Sequence, residues 1–153
     1  MFMQPIIDLA TGGVQKFEAL ARLKDGDGRI VRPRNLLSTL GETELETLFK
    51  RGLDIGLNWL SRWHGEGHDF GLSINLAPAT LRRPEVTRWI IELLDSHSIE
   101  PHRLTVELLE NQDIEEIRNN ESFNSLLARG VKLSIDDMGA GYSSLRRILS
   151  PSF

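Results

Sequence analysis

Three stretches of this chain alternate apolar and polar residues and close on an oxygen-bearing side chain. They are Leu72-Ser73-Ile74-Asn75, Leu104-Thr105-Val106-Glu107 and Leu133-Ser134-Ile135-Asp136. Successive side chains of a strand point to opposite faces, so each run puts its Leu, Ile or Val on one face and its Ser or Thr on the other. The closing Asn, Glu or Asp has the parity of the polar face. Asn75 and Glu107 are 32 positions apart, and Glu107 and Asp136 are 29 apart. Each interval holds one helix, and strands repeating at that spacing are the pattern of βαβ units and a parallel sheet. Parallel strands in register bring the three oxygens to one end of one sheet. Hard oxygen ligands clustered in this way hold Mg²⁺ or Mn²⁺.

The rest of the sequence narrows the class. With 153 residues, 40% of them hydrophobic, the chain is long enough for one domain with a sizeable core. A formal net charge of −4 argues against bulk nucleic-acid binding. Cysteine is absent, which excludes disulfides and thiolate metal sites and fits a reducing compartment. No apolar run approaches the ~20 residues of a membrane helix. The start, Met1-Phe2-Met3-Gln4-Pro5, lacks the basic region of a signal peptide. A cytoplasmic location is the expectation.

Ahead of the first alternating run, Thr11-Gly12-Gly13 suits the turn of a hairpin between residues 3–9 and 14–23. Leu45, Leu48, Phe49, Leu53, Leu57 and Leu60 then recur at helical steps, ending near Gly65-Glu66-Gly67. Pro84 opens a helix carrying Val86, Ile90, Leu93 and Leu94. Ile114, Ile117, Phe123, Leu126 and Leu127 suggest another, interrupted near Asn119-Asn120 and closed by Gly130. In the second hairpin strand Glu18 has opposite parity to Phe17 and Ala19. Glu18, Asn75, Glu107 and Asp136 are then four inward oxygens on four strands, with Asp137 beside the last.

At these positions the chain resembles the EAL family, phosphodiesterase domains acting on cyclic di-GMP. The matching segments are Gln4-Pro5-Ile6-Ile7-Asp8, Glu18-Ala19-Leu20-Ala21-Arg22, Ser73-Ile74-Asn75-Leu76, Val106-Glu107-Leu108-Leu109-Glu110, and the run from Ile135-Asp136-Asp137-Met138-Gly139 to Leu145. The resemblance implies an α/β fold of the TIM (β/α) barrel type with an antiparallel first strand and metals at the C-terminal strand ends, where barrel active sites sit. Carried over by position, Glu18, Asn75, Glu107 and Asp136 hold the first metal, and Asp136 and Asp137 the second. Glu18, Asp136 and Asp137 are the expected catalytic group. Gln4, Leu20 and Arg22 are the expected substrate contacts, with an exposed salt bridge the alternative for Arg22. Glu110 and Ser143 are expected to anchor the loop after Asp136, although Glu110 equally suits a helix N-terminus. The implied reaction is two-metal hydrolysis of cyclic di-GMP to the linear dinucleotide with Mg²⁺ or Mn²⁺, the cations lowering the pKa of a shared water.

The chain departs from the family at its end. After Leu149 it reads Ser150-Pro151-Ser152-Phe153, where the family continues into a strand bearing Lys-Ile-Asp. A TIM barrel takes ~250 residues, so residues 1–153 are expected to be a truncated EAL domain with about five strands of an incomplete barrel. Without that lysine, little or no turnover is expected from this polypeptide alone. Non-catalytic binding of cyclic di-GMP, or a role in protein interaction, is the alternative. Unpaired barrel edges predict homodimerisation or aggregation.

Other signals are set aside. His64 and His68 have a zinc-like spacing, but Gly65 and Gly67 disfavour one helix through both. The Asp25-Gly26-Asp27-Gly28 turn lacks the closing Glu of a calcium loop, since position 36 is Leu. Trp59, Trp63 and Trp89 fall in helical patterns and are expected in the core or the helical shell.

Overall fold

The structure is a computed structural model that describes residues 1–31, 39–109 and 119–136. It opens with β1 (Phe2–Ile7) and β2 (Val14–Leu20), joined by a turn that Asp8 organises. Asp8 Oδ1 accepts from the backbone N–H of Ala10 at 2.8 Å and of Thr11 at 2.9 Å, and Gly12 takes the left-handed φ of +69° that the turn requires. A small ribbon follows, β3 (Leu23–Lys24) and β4 (Ile30–Val31). Then come α1 (Glu42–Gly65), β5 (Gly71–Asn75), α2 (Pro78–Leu81), α3 (Val86–Ser96), β6 (Leu104–Leu109), α4 (Glu121–Ala128) and β7 (Lys132–Asp136).

The main sheet has the order β1-β2-β5-β6-β7. β1 runs antiparallel to β2, while β2, β5, β6 and β7 are mutually parallel. Five strands with an antiparallel first one are what the family resemblance implies. Among the described residues the sheet stays open, with β1 and β7 at its ends.

One face of the sheet is covered by helices. Phe49, Gly52, Leu53, Gly56, Leu57 and Leu60 form the buried stripe of α1, at three- and four-residue steps. They meet Leu72 and Ile74 of β5, and Leu104, Val106 and Leu108 of β6 complete the same core. Gly56 lets the helix sit close: a Cβ there would lie 2.8 Å from Leu72 Cδ2. Val86, Ile90 and Leu94 of α3 are fully buried, and Phe123 and Leu126 of α4 close the far side. Each fully buried aliphatic side chain contributes roughly 1.5–3 kcal/mol, so this layer, not helix propensity, holds α1 in place.

The structure adds detail to two sequence readings. The Asn119-Asn120 interruption is a helix start, where the Asn120 side chain accepts from Phe123 N–H at 2.9 Å. Of the three tryptophans, Trp63 and Trp89 are partly buried against the core, but Trp59 is 42% exposed on the outer side of α1. Ile114, Ile117 and the expected last helix from Ser143 lie outside the described residues.

Candidate active site

The helix-free face of the sheet carries the polar residues, and packing on the other face fixes which they are. The Phe17 ring lies 4.5 Å from Trp63 and 5.2 Å from Phe70, centroid to centroid, and Ala19 is buried. Strand alternation then turns Lys16, Glu18 and Leu20 to the opposite, interior face. In the same way Leu72 and Ile74 point to the helices while Ser73 and Asn75 point inward. Leu104, Val106 and Leu108 occupy the core, which leaves Thr105 and Glu107 inside.

The interior oxygens are staggered and do not form one row. Glu18 pairs with Gln4 on one side and Ser73 on the other. Asn75 pairs with Glu107, Glu107 with Ser134, and Asp136 with Leu109. The expected ligand positions therefore advance two residues from β2 to β5 and two more from β6 to β7. Such a stagger is the shear of a curving sheet whose strands tilt against its axis of curvature.

Direct contacts join the members that are described. Asn75 Nδ2 donates to Glu18 Oε1 at 3.0 Å. Ser73 Oγ donates to Glu107 Oε1 in a short hydrogen bond. Lys16 Nζ lies 3.5 Å from Ser73 Oγ and 4.0 Å from Glu107 Oε1. Glu107 is only 7% exposed, whereas Asn75 stands open at the strand end. Sequence reasoning missed Lys16 and Ser73. Their signal was present: each sits two residues before an expected ligand on the same strand, and so on the same face.

Of the other expected site residues, Gln4 is exposed directly opposite Glu18. Leu20 pairs with Phe2 and shares the parity of Glu18. Arg22 Nη1 donates to the carbonyl of Ala21 at 2.8 Å, and its guanidinium lies 5.4 Å from the Phe2 ring centroid. Asp136 is described by its backbone alone. Asp137, Glu110 and Ser143 lie outside the described residues.

The donor set suits a hard divalent cation: two carboxylates and an amide, all oxygen donors, on three adjacent strands. No trio of His, Cys, Asp and Glu side chains clusters among the described residues. His64 and His68 engage Phe70 separately, His64 Nε2 at 3.3 Å from its carbonyl and His68 by ring stacking at 5.2 Å. At the other end of the strands a cavity of about 310 Å³ is lined by Lys16, Phe70, Arg103, Thr105 and Lys132 among others. Nearby, the hydrogen bond and charge of Arg103 hold the Asp69 carboxyl below the usual aspartate range.

No helix among the described residues is long and apolar enough to cross a membrane. The model of the family described as "EAL domain" matches residues 1–151. An uncharacterized protein of Synechocystis sp., sll1895, is 32% identical over 151 residues, covering 95% of this chain and 21% of the relative. The probable cyclic di-GMP phosphodiesterase PdeB of Escherichia coli is 29% identical over 148 residues, covering 93% of this chain and 28% of the relative. The solved structure of the PaMucR phosphodiesterase in complex with c-di-GMP superposes with a TM-score of 0.82 at 28% identity, over 95% of this chain and 60% of that one. This chain thus spans between a fifth and three fifths of the length of these relatives. Its open sheet of one antiparallel and four parallel strands is the corresponding part of their barrel. The chain belongs to the EAL domain family.

Proposed function

We propose that this chain forms part of a metal-dependent phosphodiesterase site that hydrolyses cytoplasmic cyclic di-GMP to the linear dinucleotide. Glu18, Asn75, Glu107 and Asp136 would hold one divalent cation, Mg²⁺ or Mn²⁺, and Asp136 with Asp137 a second. Such cations, when bound, neutralise charge building on the phosphodiester and supply an activated water. The protein's share is positioning. Asn75 orients Glu18 through its amide, and Ser73 fixes one oxygen of Glu107. Gln4, beside Glu18 on the same face, would contact a guanine, Leu20 would line the entry, and Arg22 would meet a phosphate. Glu110 and Ser143 would brace the loop that follows Asp136. The observation that supports the reading is the Asn75–Glu18 hydrogen bond with Glu107 paired to Asn75, which brings three oxygen-bearing residues together near the strand ends.

The test is incubation with cyclic di-GMP and Mn²⁺, with chromatography for the linear product. Product formed by the wild type and abolished in Glu18→Gln supports hydrolysis. Tight binding by calorimetry without product moves the reading to a non-catalytic cyclic di-GMP module, and neither binding nor product contradicts it. Because β7 ends the sheet order among the described residues, association of two copies through that edge is also proposed. Size-exclusion chromatography with light scattering distinguishes a dimer from a monomer.

A further inference from the structure

A carboxylate as enclosed as Glu107 needs a partner charge and hydrogen bonds to stay folded away from water. Two interior groups supply them, and both converge on the same oxygen. Ser73 Oγ donates to Oε1, and the Lys16 ammonium lies 4.0 Å from Oε1 and 3.5 Å from the Ser73 oxygen. Lys16 belongs to the strand of Glu18, two residues toward its start, so its stem runs up the interior face from below the site. The register makes room for it. Lys16 pairs with Gly71, and a Cβ on Gly71 would lie 3.2 Å from Lys16 Cβ and 3.1 Å from the Arg103 carbonyl oxygen. Glycine at that position keeps the space beside the lysine stem clear. The Lys16 side chain is 20% exposed, so water screens the pair only in part.

We propose that Lys16 is the resident counter-charge of Glu107, a positioning residue that acts directly and through Ser73. It holds Oε1 in the metal-free chain and leaves Oε2 as the oxygen presented to the rim. It also opposes a divalent cation held by Glu107, because an ammonium and a metal compete for one carboxylate. This second part rests on the metal reading given above; the pairing itself does not.

The decisive experiment is a double-mutant cycle read by urea or thermal unfolding in EDTA, with Lys16→Met, Glu107→Gln and the double variant of the full chain. Lys16→Met is expected to lower the unfolding midpoint when Glu107 is present and to leave it unchanged, or raise it, in the Glu107→Gln background. Lys16→Arg keeps the charge and should retain the coupling. A fold lost in Lys16→Met and regained in the double variant is the same result in stronger form. Equal effects of Lys16→Met in both backgrounds overturn the pairing. Mn²⁺ titration followed by electron paramagnetic resonance tests the competition. Removing a unit positive charge a few ångströms from the site should tighten Mn²⁺ binding by about tenfold or more, while Ser73→Ala, which frees Oε1, should weaken it. Unchanged or weaker binding in Lys16→Met overturns the competition. If wild type and variants alike bind no Mn²⁺, the metal reading and the competition fall together, and the cycle still decides the pairing.

Discussion

Asn75 and Glu18 are 57 positions apart in sequence and joined by a hydrogen bond of 3.0 Å, the amide Nδ2 donating to Oε1. The contact exists because β2 and β5 pair in parallel with Glu18 opposite Ser73, which sets Asn75 one interior position farther along. An amide does here what a third carboxylate would not: it donates to one acid and keeps an oxygen able to accept or ligate. Asn75→Ala should therefore weaken Mn²⁺ binding by about tenfold or more, on the scale of losing an oriented ligand. Asn75 is exposed, so the melting temperature should stay within a few degrees of wild type. Calorimetry and a thermal melt on the same sample check both halves.

The approach of α1 to β5 depends on Gly56. A methyl group there meets Leu72 Cδ2 at 2.8 Å, and Leu72 is itself fully buried. Gly56→Ala gains up to about 1 kcal/mol of helix propensity and loses about 1–3 kcal/mol to overpacking. Net destabilisation is expected. Asn58→Ala, on the exposed side of the same helix, should be neutral or stabilise by a few tenths of a kcal/mol. Urea unfolding of both variants makes the comparison.

Asn120 starts α4 by accepting from Phe123 N–H at 2.9 Å. Asn120→Ala should cost about 1 kcal/mol and Asn120→Asp should recover only part of it, since aspartate caps as asparagine does but cannot replace the amide N–H that Asn120 gives to the Leu81 carbonyl at 3.4 Å. Denaturation midpoints across the three proteins test the cap.

Asp69 supplies a pH prediction. The hydrogen bond from Arg103, and then its charge, lower the Asp69 pKa in the folded chain. A depressed carboxylate pKa stabilises the fold above the unfolded value and ceases to do so as the pH falls through the folded one. The stability difference between wild type and Asp69→Asn should thus be present above the ordinary aspartate pKa of about 4 and be lost as the pH falls through the lower folded value. Asp8, lowered by the backbone N–H groups of Thr11 and Ala10, follows the same sign. Thermal melts across that range read the difference directly.

Much of this molecule was legible from residue order alone. Alternation in the runs ending at Asn75, Glu107 and Asp136 gives each strand its faces, and the spacing of Leu53, Leu57 and Leu60 gives α1 its buried stripe. Parity put Glu18 inside because Phe17 and Ala19 had to be outside. The stagger was not legible, since register is set by how neighbouring strands tilt and pack rather than by any one strand's pattern. The Lys16–Ser73–Glu107 contact was legible only in part: parity puts Lys16 and Ser73 on the face of Glu18 and Asn75, but which side chains meet across strands depends on the register. The break near Asn119-Asn120 was legible, but that Asn120 caps the helix after it was not, because the same residue type that breaks a helix interior also caps one.

In the proposed site Glu18, Asn75 and Glu107 share one divalent cation. Anomalous diffraction from crystals of the chain grown with Mn²⁺ tests it most directly. An anomalous peak is expected about 2.0–2.6 Å from an oxygen of each of these three side chains. A peak elsewhere on the molecule with this rim empty, or ligands drawn from the helix-covered face, would contradict it.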